Sequence, residues 1–370
     1  MAKQLVLVGG GHAHLEIIKN LNLITGRGHR VTLVSPTPFQ DYSGMGPGLL
    51  SGRFRLAEAR FNIARMTTIR GGKFIEAAAC GLDPANRTLR LDDGQELSYD
   101  VLSLNCGSAV GLPAPKTALG TSIFPVKPIS NLFHARQKII AASRQKSERL
   151  RLLIIGGGPA GCEVTGNLQE MVRSENISAD IVLVAGSRLL STFPEAVRNK
   201  TRELLAREEL QLLEGVHVSR LQSRRAELDD GRTIDFDIAF VASGIEPNLP
   251  FEQSDWCSAN GLKVNRFLQS PFYPELFGGG DCIDFQPRPL DRVGVYAVRQ
   301  GPVLRQNLLA CLGKKPLTEF SPQKSYLLIF NLGLGRAVAT GYGLHWSGRS
   351  ARLFKTFLDR SFMKKYQEIG

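Results

Sequence analysis

The sequence predicts an α/β protein built from two similar three-layer units, and three observations predict it. The chain repeats itself: Leu5-Val-Leu-Val-Gly-Gly-Gly-His-Ala-His-Leu-Glu16 returns 147 residues later as Leu152-Leu-Ile-Ile-Gly-Gly-Gly-Pro-Ala-Gly-Cys-Glu163. Each copy then passes into a helical pattern and a second short apolar run, Val31–Val34 or Ile181–Val184. Finally, Leu91-Asp-Asp-Gly94, Tyr99-Asp100 and Gly107 recur at an offset of 137 as Leu228-Asp-Asp-Gly231, Phe236-Asp237 and Gly244. The two units span roughly 4–108 and 151–245.

Leu5–Val8 and Leu152–Ile155 are continuous apolar runs too short for helices, so they read as buried strands. After the glycines, Leu15, Ile18 and Leu21, and in the second copy Val164 and Leu168, fall at helical spacing. Strand, glycine turn, helix and strand in that order open a doubly wound nucleotide-binding fold. The Asp-Asp-Gly segments mark a hairpin that closes each unit. In such a turn the first glycine permits the bend and the second lets a pyrophosphate approach bare backbone. The third allows close helix packing, while the helix N-terminus supplies N–H donors.

Composition narrows the class. A chain of 370 residues with 43% hydrophobic and 22% charged residues is neither disordered nor collagenous, and it is long enough for two or three domains. No apolar run approaches the ~18 residues of a membrane-spanning helix, and the N-terminus lacks a signal-peptide pattern. Six cysteines without a CxxC pair do not form a disulfide scaffold, so a cytoplasmic protein is expected. The net charge of +12 suits anionic ligands or surfaces. No recognisable nucleic-acid module is present, and no nucleic-acid partner is expected.

Taken together, Gly9-to-His14, Asn105-Cys-Gly-Ser108, Gly156-to-Glu163 and Gly280-Asp281-Cys282 resemble the two-dinucleotide-binding-domain FAD/NAD(P)H pyridine nucleotide oxidoreductases over residues 4–345. Phe39-to-Gly52 and the tail are most similar to the type II NADH dehydrogenase and sulfide:quinone oxidoreductase branch. The Gly-Gly-Gly-His-Ala-His variant is similar to the oxidoreductase segment fused ahead of selenophosphate synthetase. The resemblance implies an NAD(P) domain inserted into an FAD domain. The expected divisions are 1–112 and 250–318 for FAD, 113–249 for NAD(P), and 319–370 for a C-terminal region. It implies FAD at Gly9, Gly11, His12, Ala13, His14, Ser35, Ala79, Cys106, Gly107, Gly280 and Asp281, with Gln300 on a helix facing the flavin. It implies NAD(P)H at Gly156, Gly158, Pro159, Ala160, Gly161, Arg188 and Gly244. The expected reaction is hydride transfer from the nicotinamide to the flavin, then electrons to a quinone or another small acceptor.

Several positions depart from the family pattern. His14 stands where the third glycine belongs, so its side chain either pushes the helix off the strand or points to space beside the pyrophosphate. His12-x-His14 has no third ligand nearby, and no metal is expected. Ser35 and Ala185 replace the acidic residue that would hold each adenosine ribose; with Arg188 nearby, the second replacement favours NADPH over NADH. Lys127 and Glu163 are candidate catalytic groups at the flavin edge and near the nicotinamide, against a linker charge and a surface glutamate. Cys162, with Cys106 and Cys282, supports the alternative of sulfide or selenide oxidation by thiolates; a non-enzymatic flavoprotein binding a partner is the third reading. The tail over 349–369 is a basic amphipathic pattern, with Leu353, Phe354, Phe357, Leu358 and Phe362 at helical spacing. It either contacts the inner face of a membrane peripherally or packs on the protein.

Overall fold

The computed structural model describes residues 1–111 and 120–367; the expected boundary at 112/113 and tail positions 368–369 lie outside them. One parallel sheet has the order Leu276–Gly278, Val101–Leu104, Gln4–Val8, Arg30–Ser35, Lys73–Glu76. Gln4–Val8 is central and covered on both faces, which is why its residues are apolar without alternation and Leu5, Val6 and Leu7 are fully buried. A second parallel sheet has the order Ile123–Pro125, Ile238–Val241, Leu150–Ile155, Ala179–Val184, Leu210–Leu213.

The two sheets differ in the source of one outer strand. In the first it is Leu276–Gly278, from chain beyond the second unit; in the second it is Ile123–Pro125, which precedes that unit. The second unit is thus inserted into the first. The chain crosses between them on two short strands, Ser108–Val110 and Ile245–Pro247, paired antiparallel. Gly107 and Gly244 start these strands at φ of +74° and +68°, conformations that favour glycine. The predicted hairpins are three-stranded meanders, Ala79–Asp83, Thr88–Leu91, Glu96–Ser98 and Val218–Leu221, Arg225–Leu228, Thr233–Asp235.

After the helix Gly294–Gly313 the chain forms an antiparallel sheet, Leu328–Asn331, Ala337–Gly341 and Leu344–Gly348, and then the helix Arg349–Gln367. This C-terminal piece is fastened to the second glycine-loop helix, Pro159–Ser174. The side chains of Asn167 and Asn331 join at 3.2 Å, and Asn167 Nδ2 donates to the Asn331 carbonyl at 3.0 Å. Gly166 makes room: a Cβ there would land on the Leu332 carbonyl.

The tail helix separates the apolar stripe expected from sequence. Leu353, Phe354, Phe357 and Leu358 are exposed, whereas Phe362 turns inward with Met363 and Tyr366. Tyr366 donates its hydroxyl to Glu16 Oε2 at 3.0 Å, tying this helix to the first glycine-loop helix, His12–Lys19. One face is packed on the protein and the other is exposed.

Substituting Gly166→Ala tests the fastening, because two effects oppose each other. Helix propensity alone favours alanine by about 1 kcal/mol. The collision with Leu332 costs about 1–3 kcal/mol and should win, lowering the thermal midpoint of the purified protein.

Candidate functional site

Both glycine loops open into one cleft of about 1800 Å³, well above the ~300–1000 Å³ of a single small-ligand pocket. The volume suits two extended ligands. Its walls include Gly9–His12, Ser35 and Ala79, then Cys106 to Val110, Gly280, Asp281 and the N-terminus of helix Gly294–Gly313. Across it stand Gly156–Ala160, Glu163, Ala185–Ser187, His217 and Gly244, and one side is closed by Lys355, Leu358, Asp359 and Phe362 of the tail helix.

The first loop is built around Asn105, at the end of strand Val101–Leu104. Its Oδ1 accepts the N–H groups of Ala13 and His14 at 3.1 and 3.2 Å, and its Nδ2 donates to the Gly279 carbonyl at 2.5 Å. A single carboxamide therefore joins the start of the helix to the late Gly279-Gly-Asp281 segment. Gly9 and Gly11 are glycines because a Cβ at either would strike Asn105. Gln300, buried in helix Gly294–Gly313, accepts the Gly280 N–H at 2.6 Å and holds the same segment from the other side.

For His14 the structure removes one of the two expected alternatives, a side chain pointing to space beside the pyrophosphate. The side chain points neither to open space nor to the cleft; it is fully buried. Its Nδ1 bonds the Gly9 carbonyl at 2.6 Å and its Nε2 meets Ser103 Oγ at 2.8 Å. The carbonyl takes the Nδ1 proton, so Nε2 accepts from the hydroxyl. Burial lowers its pKa to about 4, keeping it neutral. In the second unit the matching residue is Gly161, whose Cβ would collide with the Gly156 carbonyl. At His14 the equivalent carbonyl, that of Gly9, instead meets a ring nitrogen. Ala13, Gly161, Gln300 and Cys162 likewise lie off the cleft wall and support it from behind, and Arg188 is off the wall at the exposed surface.

His12 does face the cleft, and its Nε2 is a buried atom without a partner among the described residues. Burial lowers its pKa to about 4, with Asp281 opposing and Lys127 assisting, so it is a neutral imidazole. It lies 5.6 Å from each of the rings of Tyr42 and Phe362, which stack on one another at 4.7 Å. An orphaned polar atom beside glycines that admit no side chain fits a ligand bonded at that point.

Lys127 reaches Asp281 Oδ2 at 3.0 Å and bonds Ser108 Oγ, which itself donates to Asp281 at 2.6 Å. Burial works against the Asp281 carboxylate, but Lys127 and Ser108 outweigh it and hold its pKa below the usual range. Lys127 is therefore part of the cleft wall and not a solvated linker charge.

Glu163 stands one turn into helix Pro159–Ser174, where its Oε1 accepts the Asn331 N–H at 2.8 Å. Burial raises its pKa to about 7, with Lys355 and the Asn331 N–H acting in the opposite direction. Lys355 bonds Asp359 at 2.6 Å and the Gly44 carbonyl at 2.9 Å, while Tyr42 donates to Asp359 at 3.1 Å. This polar cluster joins three separate parts of the chain at one end of the cleft. The second loop lacks an asparagine clamp: Ala242 occupies the position equivalent to Asn105, and no side chain caps the helix that Pro159 begins. Its first N–H groups remain available to an anion.

The thiols are poorly placed for thiolate chemistry. Cys162 is buried against the Gly157 carbonyl, off the cleft, and burial raises its pKa. Cys106 lines the wall, but burial pushes its thiol well up, and Cys282 behind it is pushed up to about 12 for the same reason.

Sequence reasoning missed Asn105, Ser108, Tyr42, Lys355, Asp359 and His217 as site residues. Asn105 and Ser108 were visible inside a recognised segment, and Lys355 and Asp359 form an i,i+4 acid–base pair. Tyr42 and His217 carried no comparable signal.

Two parallel-sheet units, the second inserted into the first and sharing one cleft between their glycine loops, define a protein that binds two dinucleotides. Residues 3–301 match the family model described as pyridine nucleotide-disulphide oxidoreductase, and the chain belongs to that family. It is an enzyme that uses FAD and NAD(P)H. Among relatives, ferroptosis suppressor protein 1 of Mus musculus is 25% identical over 360 residues, covering 92% of this chain and 88% of its own. The mitochondrial internal alternative NAD(P)H-ubiquinone oxidoreductase A1 of Arabidopsis thaliana is 22% identical, covering 84% and 68%. The fold also matches the solved sulfide:quinone oxidoreductase of Aquifex aeolicus, with a TM-score of 0.81, 16% identity and coverage of 100% and 92%.

The Glu163 environment predicts a pH effect. Its folded pKa lies above the ordinary carboxyl value of 4.5, so between about 4.5 and 7 the folded state holds a proton that the unfolded state has lost. Stability contributed by this group therefore falls as pH rises through that window. Relative to Glu163→Gln, the wild-type thermal midpoint should be higher at pH 5 than at pH 7.5, and the Gln variant should lack that slope.

Proposed function

We propose that the protein oxidises NAD(P)H and passes the electrons to a lipophilic, quinone-class acceptor that enters beside the tail helix. The single cleft shared by both glycine loops, the Lys127–Asp281 pair and the tail helix carries this reading. On it, Gly9, Gly11, His12, Ser35, Gly280 and Asp281 hold FAD, and Gly156, Gly158, Pro159, Ala160 and Gly244 hold NAD(P)H. The flavin, once bound, supplies the hydride-accepting and electron-passing chemistry.

The protein's own part is positioning and charge. Asn105 and Gln300 fix the segment carrying Asp281, and the Lys127 and Ser108 contacts keep that carboxylate ionised and aimed. The open N-terminus of helix Pro159–Ser174 offers N–H groups to a dinucleotide pyrophosphate. A quinone takes up protons as it is reduced, and Glu163, with a pKa near 7, exchanges a proton at neutral pH. Tyr42, Leu358 and Phe362 offer an apolar, partly aromatic wall to a flat acceptor.

The outer face of the tail helix supports a membrane-borne acceptor. Leu353 and Phe357 are 69% and 63% exposed, and Phe354, Trp346 and Leu344 extend the patch beside the exposed cations Arg349 and Arg360. Contiguous exposed apolar surface with a basic rim suits an anionic bilayer. Two of the similar proteins also carry a quinone in their names.

Anaerobic addition of NADH, NADPH and sulfide in turn tests the donor. Either nicotinamide should bleach the flavin and sulfide should not; bleaching by sulfide alone, abolished in Cys106→Ser, would transfer the case to thiol chemistry.

The acceptor side is tested without truncation, since the inner face of the tail helix packs on the first glycine-loop helix. Leu353→Asp with Phe357→Asp should leave flavin bleaching unchanged while reducing flotation with anionic liposomes and turnover with a long-chain quinone. Turnover with a water-soluble short-chain quinone should be retained.

A further inference from the structure

We propose that His217, oriented by Asp229, reads the adenosine ribose of the nicotinamide dinucleotide. When neutral it accepts the 2′-hydroxyl of NADH, and when protonated it donates to the 2′-phosphate of NADPH. This rests on the reading that the second glycine loop takes NAD(P)H.

In this fold the residue ending the second strand meets the ribose: a carboxylate suits NAD and a nearby arginine suits NADP. Here strand Ala179–Val184 is followed by Ala185-Gly-Ser187, which line the cleft with no carboxylate. Arg188, the cation that the sequence offers, bonds the Ser191 carbonyl at 3.4 Å and does not line the cleft. The imidazole of His217 lies beside Gly186 on the cleft wall.

The backbone brings it there. After strand Leu210–Leu213, Gly215 donates its N–H to the carbonyls of Gly186 and Ser187 at 2.7 and 3.2 Å, and Val216 bridges to Gly186. The next residue is His217, and a Cβ on Gly186 would stand 3.2 Å from its Nε2. Asp229, from the Asp-Asp-Gly turn of the same unit, grips the histidine twice. Its Oδ1 accepts the His217 backbone N–H at 3.0 Å and its Oδ2 lies 3.1 Å from Nδ1.

That pairing settles which ring nitrogen does what. Nδ1 carries a proton toward the carboxylate, so Nε2 is left beside Gly186. In the neutral ring Nε2 is a lone pair and takes the place of the missing acidic residue. In the charged ring it is an N–H that makes a charge-assisted bond to phosphate. Other charges around it are already engaged: Glu214 accepts the Leu189 N–H and pairs with Arg202, and Arg188 holds Ser191. Asp229 is thus the ionised group bonded to His217 among the described residues, and the ring is 63% exposed. Dinucleotide preference consequently shifts with pH, toward NADPH as the ring gains its proton.

Isothermal titration of the FAD-loaded protein with 2′,5′-ADP and with 5′-AMP, from pH 6.5 to 9, tests this without turnover. The preference for 2′,5′-ADP should fall about tenfold or more as pH rises, the loss of one charge-assisted hydrogen bond. It should be nearly flat in His217→Gln. The second ionisation of a phosphate monoester lies near pH 6 and acts in the opposite direction, equally in all variants. A flat wild-type preference, or an unchanged slope in His217→Gln, overturns the inference while leaving NAD(P)H binding intact. Failure of both nucleotides to bind overturns the underlying reading and this inference together.

Discussion

The Asn105 carboxamide is the constraint on which the first half of the cleft depends. It is 2% exposed and spans segments far apart in sequence, the start of helix His12–Lys19 and the carbonyl of Gly279. Losing it would strand two helix N–H groups and a buried carbonyl, each costing about 1–3 kcal/mol. The geometry downstream follows from it. Gly9 and Gly11 must be bare because Asn105 occupies the space over them, and Asp281 is aimed because Gly279 and Gly280 are tethered by Asn105 and Gln300.

The duplication makes the specialisation of each copy visible. At the position of Asn105 the second unit has Ala242, and at the position of His14 it has Gly161. The first loop is closed by side chains and fits a tightly held group. The second leaves its helix N-terminus open and fits a ligand that comes and goes. The same backbone thus serves both tasks, and the difference lies in two side chains that do or do not occupy helix N–H groups and the loop carbonyl.

The C-terminal helix couples the cleft to its surroundings. Its inner face contributes Lys355, Asp359 and Phe362 to the cleft and ties Tyr366 to Glu16, while its outer face exposes Leu353 and Phe357. The Asn167–Asn331 junction anchors the preceding sheet to the second glycine-loop helix, and the Asn331 backbone also holds Glu163. A group that titrates near neutral pH therefore sits where the nicotinamide unit, the first unit and the tail meet.

Local pattern by itself determined the duplicated units, the glycine turns and the helices behind them, because strand and helix periodicity and glycine's steric freedom are short-range properties. Most of the residues it singled out do line the cleft, since they sit within the turns. Only the tertiary structure decided which way side chains point. Nothing in Gly-Gly-Gly-His-Ala-His tells that His14 turns inward to Gly9 and Ser103 while His12 faces the cleft, since both depend on what strand Val101–Leu104 presents. His217 became part of the site, and Arg188 did not, because a backbone bridge between Gly186 and Val216 joins segments about thirty residues apart. The five aromatic and aliphatic residues of the tail obey one helical spacing, yet Leu353, Phe354 and Phe357 face outward, Leu358 reaches the cleft and Phe362 faces in. A periodic pattern defines a stripe; what packs against the stripe is set by long-range contacts that one segment does not encode.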